Sequence, residues 1–117
     1  MYIGEVARKT GLSIKAIRFY EEKGLIMPPR KGQYRVYNGS HIEVLNLIKE
    51  AKLLGTSLSQ LKNVIVYKND LPDWSKMRSF LLELNQQLAI QREALNAKVK
   101  RVEQCLAEID SCPLTLP

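Results

Sequence analysis

The sequence predicts a mainly α-helical protein, with a head of short helices carrying a small β-wing and one long C-terminal helix suited to an antiparallel coiled coil in a dimer. Three observations predict this. Two short apolar-periodic segments flank the break Thr10-Gly11-Leu12-Ser13, and a stretch rich in proline, glycine and arginine ends in the alternation Tyr34-Arg35-Val36-Tyr37. Trp74, Leu81, Leu88, Leu95, Val102 and Ile109 then recur at intervals of seven, with no glycine or proline from Trp74 to Ser111.

With 117 residues, 45% of them hydrophobic, the chain has material for one compact domain and an appendage. The expected division is a winged helix-turn-helix head over residues 1–70, a dimerisation helix over 71–111 and a short tail over 112–117. No apolar run reaches the length of a membrane span, and the start lacks the basic-then-apolar pattern of a signal sequence. A cytoplasmic protein without a membrane partner is the expectation. Cys105 and Cys112, if they share one helix, lie about 10 Å apart along its axis, beyond disulfide reach, and are read as reduced thiols. Residues 1–70 carry 12 Lys/Arg against 6 Asp/Glu, whereas residues 71–117 carry 6 of each. All the excess positive charge of +6 therefore belongs to the head, which fits a nucleic-acid-binding head on a neutral tail and fits equally a basic solvated surface.

Ile3, Val6 and Ala7 recur at helical spacing in a short first helix. Gly11 permits the turn that ends it, and Ser13 is a good N-cap for a second helix over Ile14 to Lys23, stopped by Gly24. Two helices joined by about four residues form a helix-turn-helix. In the second helix Ile14 and Ile17 are expected to face inward, with Tyr20 at the edge, while Lys15 and Arg18 project outward as residues of a recognition helix do. Pro28-Pro29 excludes helix in the next stretch, Arg30-Lys31-Gly32 makes a basic tip, and a strand over Tyr34 to Tyr37 places Arg35 and Tyr37 on one face. The head is thus a winged helix-turn-helix whose wing can meet DNA backbone through Arg, Lys and a tyrosine hydroxyl.

Ser40 with Glu43 reads as a capping box opening a third helix, built on Val44, Leu45, Leu47, Ile48, Ala51 and Leu54. His41 is expected in its exposed first turn. Ser57 with Gln60 repeats the box for a fourth helix through Leu58, Leu61, Val64 and Ile65. The polar segment Tyr67 to Asp73 reads as a linker, with Asp73 as N-cap of the final helix.

That helix would be about 54 Å long and could not bury its own stripe. Pairing with a second copy follows, through Trp74, Leu81, Leu84, Leu88, Leu95, Val102 and Ile109. Gln91 and Lys98, with Met77 and Cys105, occupy the second seam position. Polar residues there suit an antiparallel pair whose helices also touch the partner's head, although polar seam positions also set register in parallel coils.

The segments Y-I-G-E-V-A-R-K-T-G-L-S, I-R-F-Y-E-E-K-G-L-I, Y-R-V-Y and L-G-T-S-L-S-Q-L, in this order, resemble the MerR family of bacterial transcription regulators. The similarity covers residues 2–66 closely, and the long helix matches in kind. It implies a homodimer joined by an antiparallel coiled coil, with two heads on a pseudo-palindromic operator in double-stranded DNA. It also implies control of RNA polymerase at the promoter by bending and untwisting DNA between overlong-spaced promoter elements. On matching positions Arg18, Tyr20, Arg35 and Tyr37 become DNA contacts, mostly to phosphate, to which Ser13, Lys15 and Lys31 are added. Phe19 faces either the core or the groove. Metal-sensing relatives place ligands at the start of the long helix and in a later cysteine-bearing loop. Here Leu71 to Ser79 holds no cysteine, and Cys112 is the one candidate effector or redox residue. A lone thiol is a poor soft-metal site, so no metal and no cofactor is assigned. The effector is open between a metal, an oxidant and an apolar ligand near Trp74.

No Ser/His/Asp set, phosphate-binding glycine loop or paired histidines occur, so an enzyme is not expected. The alternative function is a coiled-coil interaction protein whose head is an architectural or excisionase-like DNA anchor without promoter control.

Overall fold

The computed structural model describes residues 1–111, in nine elements. Cys112 lies outside them. The chain divides into two compact units, one spanning Met1–Arg78 and the other beginning at Ser79.

In the first unit, α1 (Ile3–Thr10) ends where Gly11 adopts φ 75° and returns its N–H to the Ala7 carbonyl. Three residues later α2 (Ile14–Glu22) starts under Ser13, whose hydroxyl accepts from the Ala16 N–H at 3.0 Å. The helix-turn-helix is held from behind by Lys49, whose Nζ donates to the Thr10 carbonyl at 2.9 Å. That contact satisfies a C-terminal carbonyl of α1 and adds positive charge where the helix dipole is negative. Val6, Ile17, Leu25, Ile26, Val44, Leu45, Ile48 and Leu61 make the core. Ile14, expected to face inward, is exposed, because its neighbours along the buried face are Ile17 and the partly covered Tyr20, not the first turn.

The wing is shorter than the sequence pattern indicates. β1 (Arg30–Lys31) pairs antiparallel with β2 (Tyr34–Arg35) across Gly32, whose φ is 66°. Beyond Arg35 the chain leaves the wing, and the Tyr37 N–H donates to the Met1 carbonyl at 2.7 Å, tying the wing's return to the front of α1.

The third helix opens earlier than expected. α3 (Gly39–Leu53) is capped by Asn38, whose side chain accepts from the His41 N–H, while the Asn38 N–H donates to His41 Nδ1 at 3.0 Å. The box is therefore Asn38/His41 and not Ser40/Glu43, with an imidazole in the role normally taken by Glu or Gln. His41 is 7% exposed, not on the surface. α4 (Leu58–Val64) has the expected Ser57/Gln60 box.

The expected linker is a β-hairpin. β3 (Val66–Lys68) pairs with β4 (Leu71–Asp73) in the register Val66↔Asp73, Tyr67↔Pro72, Lys68↔Leu71. Asn69 and Asp70 turn it with φ 51° and 63°, the double left-handed conformation of the tight hairpin turn matched to strand twist. Tyr67 donates to the Leu25 carbonyl at 2.5 Å, and burial pushes its phenol up to about 12. Asp73 Oδ1 accepts from the Ser75 N–H and hydroxyl, and these bonds, with Lys68 alongside, bring its carboxyl down to about 2. The hairpin and the first turn of the last helix, with Met77 buried, thus belong to the head.

α5 (Ser75–Ser111) runs 37 residues without interruption. Trp74 immediately precedes it, half-buried, and Leu81 and Leu84 are half-buried. Leu88, Leu95, Val102 and Ile109 are exposed, and so are Val99 and Leu106, which the heptad count passes over. Among the described residues no helix is long and apolar enough to cross a membrane.

Candidate nucleic-acid interface

α2 and the wing supply the basic side chains, and the fold brings them to one place. Lys15, Arg18 and Phe19 lie exposed on α2, Phe19 at 43%, so this ring faces outward. Lys23 Nζ stands 5.4 Å from the centre of the Phe19 ring, and the Tyr20 ring meets its edge at 5.7 Å. Tyr20 itself is half-buried. Ser13 caps α2 through one lone pair of its hydroxyl, which leaves the hydroxyl proton for an outside acceptor.

On the wing Arg30, Lys31, Gln33 and Tyr34 are exposed. The Tyr34 ring packs against Tyr2 with centroids 5.8 Å apart, so the outer face of the wing carries an aromatic pair anchored to the start of α1. Arg35, on the other face, turns back: its Nε donates to Glu21 Oε1 in an ion pair between the wing and the last turn of α2. Two adjacent clefts of about 220 Å³ lie here, one lined by Arg18, Glu21, Glu22 and Arg35, the other by Tyr2, Arg18, Gln33, Tyr34, Arg35 and Tyr37 among others. Arg18 and Arg35 border both. In the first cleft Glu21 and Glu22 offset the two guanidiniums; in the second, lined by no carboxylate, Arg18 and Arg35 can receive an anion, since each presents a planar fork of donors.

Tyr37 is placed differently from expectation. It is 2% exposed, its ring meeting the His41 ring edge-on at 5.8 Å and its hydroxyl donating to Glu21 Oε2 at 3.4 Å. Burial and then the Glu21 carboxylate hold its phenol above the usual value. It borders the cleft from the core and stands behind Arg35, not beside it as a second surface contact. Burial likewise holds the His41 imidazole below its usual range.

The residues that sequence reasoning passed over are Tyr2, Gln33, Tyr34 and Glu21. Tyr34 had a signal, since the alternation that puts Arg35 on one face puts it on the other. Glu21 had none, because its partners are 14 and 16 positions away. Among the described residues no group of three His, Cys, Asp or Glu side chains is placed to hold a metal ion.

The family model described as "MerR HTH family regulatory protein" matches residues 1–68. The chain is 38% identical over 118 residues to the HTH-type transcriptional regulator CueR of Salmonella typhi, spanning 97% of this chain and 82% of that protein. A MerR-family transcriptional regulator from Bacillus cereus superposes with TM-score 0.57 at 28% identity, covering 94% of this chain and 77% of the other. The N-terminal part of MtaN, a multidrug transporter activator of Bacillus subtilis, superposes with TM-score 0.61 at 21% identity, covering 91% and 97%, a likeness of fold. A helix-turn-helix whose second helix shares a two-arginine cleft with a wing, and a long helix with an exposed apolar stripe, are thus found on a chain that belongs to the MerR family of helix-turn-helix transcription regulators, which bind DNA.

Proposed function

We propose that two copies pair antiparallel through α5 and set two heads on a pseudo-palindromic operator lying between promoter elements. Bound there, the dimer controls RNA polymerase by deforming the DNA so that the elements align. The observation that carries this reading is the cleft shared by Arg18 and Arg35 on a head whose helix α5 displays Leu88, Leu95, Val99, Val102, Leu106 and Ile109 to solvent. Arg18 and Arg35 grip phosphate, Lys15 and Lys31 flank them, and the Ser13 hydroxyl and Tyr20 contribute at the two ends of α2. Phe19, facing outward, offers an apolar surface suited to a thymine methyl. Operation on DNA places the protein in the bacterial cytoplasm.

The test is binding to a duplex selected in vitro by the protein, followed across salt concentration. Arg18→Ala and Arg35→Ala are each expected to weaken binding about 10-fold and to lower the slope of log affinity against log salt by about 0.9 per lost phosphate contact. Unchanged affinity and slope in both variants would remove the assigned surface. Transcription from a promoter whose spacing is lengthened then separates promoter control from simple anchoring: the interaction-protein alternative leaves such a promoter silent.

A further inference from the structure

Glu21 is an acidic residue in the wrong place by every simple rule. It sits in the last turn of α2, where a carboxylate meets the negative end of the helix dipole, and it lines a cleft beside Arg18 and Arg35, the two arginines that offer themselves to an anion next door. Its side chain is 16% exposed and that of Arg35 is 35% exposed, so the pair is partly withdrawn from water. Both carboxylate oxygens have partners on the returning chain, one on β2 and one just beyond it: Oε1 receives Arg35 Nε, and Oε2 receives the Tyr37 hydroxyl at 3.4 Å.

We infer that Glu21 is a positioning residue for DNA binding, pinning the wing to α2 so that Arg35 is held ready for phosphate. This rests on the DNA-surface reading proposed above. The wing needs outside support, and Glu21 adds a pin at Arg35 to the Tyr34–Tyr2 ring contact and the Tyr37 N–H bond to Met1. Each of its strands contributes two residues to the pairing, and a hairpin that small does not hold itself in water. A contact through Nε uses one of the guanidinium's five N–H donors and leaves the terminal fork for a phosphate. Glu21 thus spends a charge unfavourable to DNA in order to hold one that DNA needs, and Tyr37 behind it keeps the carboxylate aimed.

The electrostatic expectation and the positioning expectation have opposite signs, which makes the test decisive. Removing a negative charge beside a DNA surface by itself tightens binding. As a pin, Glu21→Ala is expected to weaken binding to the selected duplex by about 5- to 10-fold, close to the effect of Arg35→Ala. The double variant is expected to bind no more weakly than Arg35→Ala alone, because Glu21 acts through that arginine. Glu21→Gln, whose amide oxygen still accepts from Nε, is expected to fall between wild type and Glu21→Ala. In ¹H–¹⁵N spectra of the full chain, the Arg35 Nε–H resonance is expected to be protected from exchange and to lose protection in Glu21→Ala.

Tighter or unchanged binding in Glu21→Ala, or losses that multiply in the double variant, overturns the positioning role. So does an Nε–H resonance indifferent to Glu21→Ala. The DNA-surface reading fails separately, and takes this role with it, if Arg35→Ala and Arg18→Ala bind as wild type while the Nε–H protection still depends on Glu21. Thermal unfolding of Glu21→Gln and Glu21→Ala guards against misfolding as the cause: weakened binding must appear in a variant that unfolds with the wild-type transition, and in Glu21→Gln alone if Glu21→Ala does not fold.

Discussion

His41 combines two facts that give it a measurable signature. Its Nδ1 accepts from the Asn38 N–H, so the α3 cap uses the neutral imidazole or loses its acceptor. Burial lowers its affinity for a proton below the usual 6.5, with the Glu21 carboxylate opposing in part. A histidine whose folded value is depressed binds fewer protons folded than unfolded below about 6.5, so its contribution is fully present above that pH and is lost as pH falls through the folded value. Thermal midpoints are therefore expected to decline as pH is lowered from 7 into the range below 6.5, and His41→Gln, which keeps an acceptor at the box position, is expected to remove that decline. The Asp73 carboxyl acts in a separate window, between 3.8 and about 2, because its depressed value is held by the Ser75 bonds and Lys68. Neither His41 nor Tyr37 could be oriented from the sequence. Strand alternation puts Tyr37 on the face of Arg35 and a cap at Ser40 puts His41 in an exposed first turn, whereas their burial comes from partners on α2 and from each other.

At the scale of elements, local chemistry was legible and long-range partnership was not. Ser13 and Ser57 each act within four residues, so the starts of α2 and α4 could be read directly. The start of α3 could not, because Ser40 and Glu43 repeat the spacing that Asn38 and His41 use, and only burial of the imidazole decides between them. The second hairpin was hidden by Pro72 and by a polar composition that suits a linker as well as it suits Asn69-Asp70 at a two-residue turn. That turn gives the element its own prediction. Asp70 holds φ 63°, where glycine carries no steric cost and a β-branched residue carries the most. Asp70→Gly is expected to be neutral or to stabilise the head by up to about 1 kcal/mol, and Asp70→Val to destabilise it by about 1–2 kcal/mol, read from urea unfolding.

For the whole molecule the relevant quantity is the apolar stripe of α5. The heptad count picks out Leu81, Leu88, Leu95, Val102 and Ile109 and assigns Lys98 and Cys105 to the companion row. In the second half of the helix, however, the exposed apolar companions are Val99 and Leu106, four positions on from Leu95 and Val102 rather than three. In the proposed helix pair, two successive steps of four, through Gln91, Leu95 and Val99, would form a stutter that locally unwinds a left-handed supercoil. A single-period count follows the strict row and cannot register a change of phase, so the sequence pattern alone does not choose between the two rows. Leu95→Glu is expected to yield monomer in sedimentation at micromolar concentration. Val99→Glu and Leu106→Glu are expected to do the same, while Lys98→Ala leaves the dimer intact. A dimer unaffected by Val99→Glu would return the seam to the strict heptad.

The continuity of α5 from Ser75 to Ser111 has a bearing on how such a chain can change length. Adding one residue anywhere inside it rotates everything downstream by about 100° and carries half the stripe off the seam. Adding seven keeps the face to within about 20° and lengthens the helix by roughly 10 Å. In the proposed antiparallel pair, a seven-residue step therefore keeps the stripe on the seam while resetting the reach of the pair by about three base pairs of duplex.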